Sequence, residues 1–461
     1  MQDNLYSASI SSYKSGSLKG TARVPGDKSM SHRSIMFGAL AIGETIISGL
    51  LEGEDVLATA AAMRAMGAKI IHGDDGLWRV HGVGVGGLQE PDQVLDMGNS
   101  GTSTRLLMGL VGGHNITATF TGDASLIKRP MRRIVTPLEQ MGASFMCRSG
   151  DRLPLTVKGA EDTLAIKYTL PVASAQVKSA IMLAGLNAQG RTTVIEGHPT
   201  RDHTENMLRH FGVDVEVEEL DDGAGAIHLQ GQQELTACAV DVPADPSSAA
   251  FPVVAALIKE GSEITLPNVG VNPRRDGVFV TLQDMGAGIR YENKRDEAGE
   301  PVATIVVSAK NTLQGIDVPE GRVPSMIDEF PILAVAASCA QGTTRMTGLA
   351  ELRVKESDRL LMMAEGLKAC GVDLEMGEDS LTIHGTGKPP QGGARVETAL
   401  DHRIAMSFLV LGGASEQPIE IDDAAPIKTS FPNFIELMNE LGMKIGEQSF
   451  ADNNTGLAFA D

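Results

Sequence analysis

Two kinds of helical segment recur along this chain, separated by strand-like segments. One kind is apolar on nearly every side and rich in small residues, as in RLLMGLVGG from Arg105 and FPILAVAASCAQG from Phe330, which predicts helices that are buried all round. The other kind is a short helix that ends in a glycine before a strand, as in AMGAKI at Gly67. Segments such as TTVIEG and VDVEVEE lie between them and predict strands, because they alternate or are rich in β-branched residues.

The phrase that ends in glycine recurs along the whole chain. Glycine there is expected to adopt the left-handed conformation that ends a helix, because it has no Cβ to clash. The spacing of roughly 70 to 85 residues between these glycines indicates an internal repeat. The glycines are Gly67, Gly142, Gly212, Gly286, Gly371 and Gly442. The sequence therefore predicts an α/β (α+β) fold of six repeats, each with the element order βαβαββ.

We expect the repeats to group as three per lobe in a two-lobed molecule. The predicted crossings lie near Pro25 and Pro243, where the third repeat ends in VDVPADPSS. The predicted N-terminal lobe is 27–243. The C-terminal lobe is predicted to be discontinuous, formed by 1–26 plus 244–461, with the first segment supplying a strand. The last residues, EQSFADNNTGLAFAD, are typical of a loose tail.

Composition and charge narrow the class of protein. The 461 residues are 42% hydrophobic, which is typical of a globular chain. A net charge of −20 disfavours nucleic acid and anionic membranes as partners. The sequence contains no stretch of about 18 apolar residues, so it predicts no membrane-spanning helix. The four cysteines are far apart, which favours a reducing cytoplasm, and the histidines lack metal-ligand spacing, so we expect no metal. We also expect a monomer.

Against this acidic background, cations are concentrated where helices are predicted to begin. Helix N-termini bind anions through their unpaired N–H groups. A lysine or arginine at that end destabilises the helix by about 0.3 to 1 kcal/mol. The recurrence of lysine and arginine at these positions therefore points to an anionic ligand. Serine, aspartate and asparagine at such positions are also ordinary caps, and arginine beside an acid is also an ordinary surface pair. The segments are GDKSMSHR, GNSGTSTR, ASAQVK, KRPMRR, TRDHTE, NPRRD, VKESDR, DHR and IKTSFP.

Taken in order, eight motifs resemble the 5-enolpyruvylshikimate-3-phosphate synthase family: GDKSMSHR, NSGTSTRLL, KRPM, SAQVKSAIMLAG, MIDEFPILAVAA, RVKESDRL, DHRIAMSF and TSFP. The match runs from about residue 15 to 445, and SAQVK and RDHTE are similar to the class II bacterial branch. The resemblance implies a two-lobed inside-out α/β barrel with the active site in the interdomain cleft. It also implies transfer of the enolpyruvyl group of phosphoenolpyruvate to the 5-hydroxyl of shikimate 3-phosphate, without a metal or organic cofactor.

The resemblance further implies roles for individual residues. Asp328, assisted by Lys355, is expected to take the proton of the 5-hydroxyl, and Glu356 to protonate the methylene carbon. Lys28 completes the expected catalytic set. The residues expected to bind shikimate 3-phosphate are Lys28, Ser29, Arg33, Ser174, Ala175, Gln176, Arg201, Asp328 and Lys355. Those expected to bind phosphoenolpyruvate are Lys28, Asn99, Gly101, Arg129, Gln176, Arg359, Arg403 and Lys428.

Two other functions remain open from the sequence. A UDP-N-acetylglucosamine enolpyruvyl transferase would have the same repeat fold, but that family carries a reactive cysteine near the position of KRPM, where this chain has none. The second alternative is a non-enzymatic repeat protein that binds an anionic partner. It would tolerate Glu356→Gln and Asp328→Asn.

Three positions depart from the class II pattern. Gly101 stands where that class often has alanine, whose methyl group is thought to exclude the inhibitor glyphosate. Lys428 matches the other branch, and NPRR replaces NPTR. We therefore predict inhibition by glyphosate, and a millimolar inhibition constant would contradict this prediction.

Overall fold

In the computed structural model, the six glycines predicted to end helices adopt the left-handed backbone conformation. At all six positions φ lies between 85° and 111°. The Gly67 N–H bonds to the Arg64 carbonyl at 3.0 Å, and the Ala68 N–H bonds to the Met63 carbonyl at 3.1 Å. This pair of bonds is the Schellman motif, and it recurs at the other five glycines. The prediction of glycine-ended helices is confirmed.

The structure describes residues 9–221 and 223–447, so the predicted tail from residue 448 onward lies outside the described residues. The chain folds into two compact units. The N-terminal unit comprises Pro25–Pro243 with Arg295–Pro301, and the C-terminal unit comprises the other described residues.

Helices of both kinds occur in each unit. Along the described chain they are α1 (Lys28–Leu40), α2 (Glu54–Ala65), α3 (Gly101–Gly112), α4 (Arg132–Gln140), α5 (Ala175–Gly185), α6 (His203–His210), α7 (Pro246–Leu257), α8 (Gly277–Asp284), α9 (Phe330–Cys339), α10 (Arg359–Ala369), α11 (His402–Gly412) and α12 (Phe434–Glu440). Short 3₁₀ turns cover Leu126–Lys128, Glu320–Ser325, Ile327–Glu329, Ala350–Val354 and Ala425–Thr429.

Strands fill the segments between the helices. They are β1 (Ile10–Tyr13), β2 (Lys19–Thr21), β3 (Ala41–Ile42), β4 (Glu44–Ser48), β5 (Lys69–His72), β6 (Trp78–His81), β7 (Leu95–Asp96), β8 (Thr117–Thr121), β9 (Ser144–Arg148), β10 (Arg152–Lys158), β11 (Lys167–Thr169), β12 (Arg191–Glu196), β13 (Val215–Glu219), β14 (Gly225–Gln230), β15 (Leu235–Thr236), β16 (Ala239–Asp241), β17 (Glu263–Gly270), β18 (Gly288–Glu297), β19 (Glu300–Ser308), β20 (Gln341–Met346), β21 (Asp373–Met376), β22 (Leu381–Thr386), β23 (Arg395–Val396), β24 (Ile419–Ile421) and β25 (Lys444–Gly446).

The larger sheets of the N-terminal unit share one strand arrangement. Their orders are β16-β4-β6-β5, β7-β8-β10-β9 and β11-β12-β14-β13. In each, the first pair is parallel and the following pairs are antiparallel. β16 follows the third sheet in the chain but pairs with β4, with Val240 opposite Ile47. The last strand of this unit therefore completes its first sheet.

The sheets of the C-terminal unit have the orders β23-β24-β1-β25, β18-β19-β17-β2 and β20-β22-β21. β1 and β2 belong to two different sheets, so the initial segment, predicted to supply one strand, supplies two. Isolated parallel bridges from Gln314 and Asp317 lie beside β20, where the other sheets have a parallel strand. A short connection takes the place of a full strand there.

The apolar helices contribute many of the buried hydrophobic residues of the two cores. Every residue of α7 and every residue of α9 is buried, as their all-round apolar sequences predict. Several polar helix starts are capped by side chains, because Asp27, Ser100, Asp245 and Asp401 each accept a bond from a backbone N–H in the first turn. Within the described residues, no helix has both the length and the apolarity needed to cross a membrane.

One segment differs from the predicted division of the chain. The sequence placed 295–301 with the C-terminal repeats, but this segment, which comprises the end of β18, the turn and the start of β19, belongs to the N-terminal unit. The buried Glu300 carboxylate accepts bonds from His203 Nδ1 at 2.8 Å and from Asn206 Nδ2 at 3.2 Å. Ala298 packs against the same unit's core. These contacts are long-range in sequence, so no local pattern predicts them.

Close packing of α3 against α5 predicts a stability effect. A Cβ on Gly109 would lie 2.4 Å from the Ala180 carbonyl oxygen, whereas a Cβ on Gly112 would lie no closer than 3.5 Å to its neighbours. We expect Gly109→Ala to lower the free energy of unfolding by about 1 to 3 kcal/mol through overpacking. Gly112→Ala is the matched control and should be neutral or stabilising. Urea denaturation measures both, and equal effects would contradict this packing argument.

Candidate active site

The N-terminal end of α3 brings several predicted site residues together. Asn99 Oδ1 accepts a bond from Arg129 Nη2 at 2.7 Å, and Asn99 Nδ2 donates to Asp123 Oδ2 at 2.7 Å. A Cβ on Gly101 would lie 3.0 Å from Nη1 of both Arg129 and Arg105. Two guanidinium groups therefore flank the start of this helix, where backbone N–H groups already favour an anion.

Gln176 joins this group from the start of α5. Its Oε1 accepts from Arg105 Nη1 at 2.7 Å, and its Nε2 donates to Thr102 Oγ1 at 3.0 Å. Arg105 was not among the predicted site residues. Its sequence signal is its place as the last residue of GNSGTSTR, one helical turn after Gly101.

Arg33, a residue of α1, has a buried side chain that contacts α5 and α6. Its Nε donates to Thr204 Oγ1 and its Nη2 to Ser179 Oγ, both at 2.8 Å, and its Nη1 donates to the Ser29 carbonyl. Burial lowers the pKa of Arg33 to about 10, although nearby carboxylates such as Glu205 act in the opposite direction. The side chain therefore stays cationic at neutral pH.

The remaining shikimate-phosphate candidates of the N-terminal unit lie at the starts of α1, α5 and α6. Ser174 caps α5 by accepting from the Val177 N–H at 3.4 Å, and Ala175 is the first residue of that helix. Arg201 is half-buried before α6, and its charge contributes to lowering the pKa of Arg33. Lys28 forms an ion pair with the buried carboxylate of Asp55.

A fully buried lysine connects α5 to α6. Lys178 Nζ lies 2.6 Å from Glu205 Oε1 and 3.2 Å from Glu196 Oε2. Thr200 donates to the same Glu196 oxygen through its hydroxyl at 2.7 Å. Lys178 is the lysine of SAQVK, so the sequence shows it as a cation at a helix start, but its buried partners come from other segments of the chain. Its contacts hold the two helix starts together.

In the C-terminal unit, Arg359 joins three carboxylates. Its Nε donates to Asp401 at 2.8 Å, its Nη1 donates to Asp328 at 3.1 Å, and its Nη2 donates to Glu356. The side chain is 1% exposed. Burial alone would lower the pKa of Arg359, but Asp401, Glu356 and Asp328 together raise it above its ordinary value. This guanidinium is therefore a permanent charge between the two predicted catalytic acids.

The predicted catalytic residues of this unit are brought together. Lys355 Nζ lies 3.1 Å from Asp328 Oδ1, the oxygen that also accepts from Arg359. Asp328 and Glu356 therefore share one cation, although they belong to separate motifs that lie far apart in the sequence. A pair of carboxylates held beside fixed cations can serve as an acid and a base.

Arg403 lies beside this group at the start of α11. Its Nη1 donates to the Asp328 carbonyl at 2.8 Å and to Glu329 Oε1 at 3.1 Å. Glu329 was not among the predicted site residues, although MIDE places it directly after Asp328. Lys428 lies half-buried in the 3₁₀ turn Ala425–Thr429.

Side chains that could bind a metal do not cluster in the described part of the chain. Across residues 9–221 and 223–447, no three His, Cys, Asp or Glu side chains are grouped so that they could hold a metal ion. The cysteine nearest to KRPM, Cys147, lies in β9, and burial, followed by the charges of Asp151 and Glu139, raises the pKa of its thiol. Such a thiol is a poor nucleophile at neutral pH.

Comparison with known proteins assigns this arrangement to a family. The family model for EPSP synthase (3-phosphoshikimate 1-carboxyvinyltransferase) matches residues 12–438. A 3-phosphoshikimate 1-carboxyvinyltransferase from Paramagnetospirillum magneticum is 63% identical, over 95% of this chain and 98% of its own length. One from Parvibaculum lavamentivorans is 58% identical, over 95% and 97%. A solved EPSP synthase structure from Acinetobacter baumannii superposes with a TM-score of 0.85 at 48% identity, covering 95% of this chain and 100% of that one. The chain therefore belongs to the EPSP synthase family.

Proposed function

We propose that this chain transfers the enolpyruvyl group of phosphoenolpyruvate to the 5-hydroxyl of shikimate 3-phosphate and releases phosphate. The family and its mixed α/β fold support the reaction. The observation that supports the residue roles most strongly is Arg359, which joins Asp328 to Glu356 in the C-terminal unit. The reaction needs two proton-transfer groups beside a developing negative charge, and this cluster supplies both.

The proposed shikimate 3-phosphate ligands lie mainly at helix starts of the N-terminal unit. Ser174, Ala175, Gln176 and Arg201 bind its phosphate, because backbone N–H groups and a cation favour a dianion there. Ser29 and Arg33 bind the ring hydroxyls and the carboxylate. Lys28 and, from the C-terminal unit, Asp328 and Lys355 complete the proposed set.

The proposed phosphoenolpyruvate ligands of the N-terminal unit surround Gly101. Asn99, Arg129 and Gln176 already contact one another or Arg105 at this helix start. Arginine suits this substrate, because its planar fork matches a carboxylate or a phosphate with two parallel hydrogen bonds. The complete proposed set is Lys28, Asn99, Gly101, Arg129, Gln176, Arg359, Arg403 and Lys428, to which we add Arg105.

In the proposed mechanism Asp328, assisted by Lys355, accepts the 5-hydroxyl proton as that oxygen bonds to the central carbon of phosphoenolpyruvate. Glu356 donates a proton to the methylene carbon, which becomes a methyl group in a tetrahedral intermediate. The roles then reverse: Glu356 removes a methyl proton, the double bond reforms, and phosphate leaves with the proton that Asp328 returns. The cations stabilise the negative charge of the intermediate and of the leaving phosphate.

The finer architectural predictions remain part of this proposal. We propose six βαβαββ repeats, three in each unit, forming an inside-out barrel with the apolar helices central. The similar strand orders of the sheets and the left-handed glycines that end six helices support this repeat arrangement. The active site in the interdomain cleft, the monomeric state and the cytoplasmic location stay predictions.

A product analysis tests the proposed reaction. Incubation with phosphoenolpyruvate and shikimate 3-phosphate should give a compound whose mass equals shikimate 3-phosphate plus an enolpyruvyl group. Asp328→Asn should abolish most of this product, and Asp317→Asn, which alters an exposed carboxylate of the same unit, should not. Equal product from wild type and Asp328→Asn would contradict the proposed role of Asp328.

Gly101 is expected to control the response to glyphosate. A methyl group there would lie 3.0 Å from one guanidinium nitrogen of Arg105 and one of Arg129, so both must shift by a few tenths of an ångström. We expect glyphosate to inhibit the wild type, and Gly101→Ala to raise both its inhibition constant and the KM for phosphoenolpyruvate by about tenfold. Gly197→Ala is the control, since nothing lies within 4 Å of its added Cβ. Inhibition constants that are equal in wild type and Gly101→Ala would contradict this prediction.

A further inference from the structure

Glu329 is a buried carboxylate for which the mechanism above has no use. Its side chain is 1% exposed. Oε1 accepts a bond from Arg403 Nη1 at 3.1 Å and another from the Ser247 hydroxyl. Oε2 has no hydrogen-bond partner within the described residues. Burying a carboxylate is costly unless its partners compensate, so this position calls for a reason other than packing.

Arg403 is the cationic partner of Glu329, and within the described residues a single nitrogen, Nη1, makes its side-chain hydrogen bonds. Both of its side-chain bonds to residues that the structure describes use Nη1, one to the Asp328 carbonyl and one to Glu329. The Nε–Nη2 edge makes no such bond, and the side chain is 14% exposed. This edge is the fork that pairs with a carboxylate or a phosphate through two parallel bonds.

Arg359, the neighbouring arginine, is held differently. Each of its three nitrogens donates to a carboxylate, to Asp401, Asp328 or Glu356. Its fork is occupied by these carboxylates, so the proposed contribution of Arg359 to phosphoenolpyruvate binding is its charge and not an open fork. Of these two arginines, Arg403 is therefore the one whose orientation leaves a fork open to a ligand.

Glu329 is itself fixed by a second set of bonds that reaches α7. Ser247, which donates to Glu329, accepts from Arg275 Nη2 at 2.9 Å, and the same nitrogen donates to Asp245 at 3.1 Å. Asp245 caps α7, and Arg275 and Ser247 are buried. Two rigid helix starts, those of α7 and α11, are thus joined through one carboxylate, the kind of support that holds a binding group in place.

We infer that Glu329 is a positioning residue that orients Arg403 so that its Nε–Nη2 edge binds the anionic end of phosphoenolpyruvate. This inference rests on the proposed function. Glu329 does not touch the substrate in this account and acts only through Arg403. Adjacent acids in MIDE therefore have separate tasks, with Asp328 at the reacting atoms and Glu329 behind a binding arginine.

The test is a double-mutant cycle on the full-length enzyme. Glu329→Gln keeps the side-chain volume but removes the charge that orients Arg403. We expect it to raise the KM for phosphoenolpyruvate by about tenfold, the effect of one charge-assisted hydrogen bond, with kcat and the KM for shikimate 3-phosphate changed by less than about twofold. In an Arg403→Gln background, Glu329→Gln should have almost no further effect on kcat/KM for phosphoenolpyruvate.

A merely structural role gives a different result. Glu300→Gln is the matched control, since Glu300 is also a buried carboxylate with side-chain donors but belongs to the N-terminal unit. It should lower the unfolding temperature without raising the KM for phosphoenolpyruvate. If Glu329→Gln is unfolded at the assay temperature, Glu329→Asp, which keeps the charge and shortens the reach, takes its place in the cycle.

The outcomes separate this inference from the function on which it rests. Independent effects of the two substitutions in the cycle, or an unchanged KM for phosphoenolpyruvate in the Glu329 variant, would overturn the inference alone. A wild type that releases no phosphate from the two substrates would overturn the proposed function and this inference with it.

Discussion

Replacing Glu356 by glutamine is expected to lower kcat by about 10²- to 10⁴-fold, the usual contribution of a general acid or base. Glutamine keeps an oxygen that can accept from Arg359 but can neither donate the proton to the methylene carbon nor remove it again. Asp328 and Asp401 remain as partners of Arg359, so the variant should fold. Steady-state kinetics with both substrates saturating measure the effect.

Glu365→Gln is the matched control for this experiment. Glu365 is an exposed carboxylate on α10, the helix that begins just after Glu356. Its replacement should leave kcat unchanged. A Glu356→Gln variant with near-normal turnover would show that another group protonates the methylene carbon.

The second large effect is expected for Arg359→Met. Removing the guanidinium leaves Asp328, Glu356 and Asp401 without the cation that they share. Breaking a buried ion pair from one side typically costs about 3 to 5 kcal/mol, so we expect a loss of this size in the free energy of unfolding. Turnover should also be lost, because the catalytic carboxylates are no longer held. Denaturant unfolding measures the first effect.

The pH dependence of this contribution has a defined sign. The folded-state pKa of Arg359 is raised above its ordinary value, so its stabilisation is complete at every pH below the unfolded pKa and is lost only at strongly alkaline pH. The contribution of Arg359 itself should therefore not titrate between about pH 6 and 9. Arg345→Met is the control, because the Arg345–Asp317 pair is exposed and should contribute less than about 1 kcal/mol. Equal losses in the two variants would contradict the buried-charge account.

Local sequence signals predicted the parts of the fold that depend on local physics. Glycine at the end of a helix is favoured by backbone conformation, so Gly67 and its five counterparts were identifiable from the recurring phrase that contains them. The apolar sequences of α7 and α9 predicted their complete burial. The motifs, read through the family resemblance, named Asp328 and Glu356 beside Arg359, and Asn99 and Arg129 near Gly101. They did not name Asp401 or Arg105 as site residues.

Long-range contacts account for what the sequence did not predict. Lys178 meets Glu205 and Glu196, and Glu300, the first residue of β19, meets His203 of α6. Glu329 meets Ser247 across 82 positions. Charge and periodicity describe one helix or strand at a time, so they cannot show which buried acid will face which cation.

The most direct test of the central claim is phosphate release from phosphoenolpyruvate with two acceptors in parallel, shikimate 3-phosphate and UDP-N-acetylglucosamine. We expect release with shikimate 3-phosphate only. Release with the UDP-sugar only would retain the fold and the phosphoenolpyruvate site but contradict the assigned acceptor, and no release with either would contradict the proposed enzyme function.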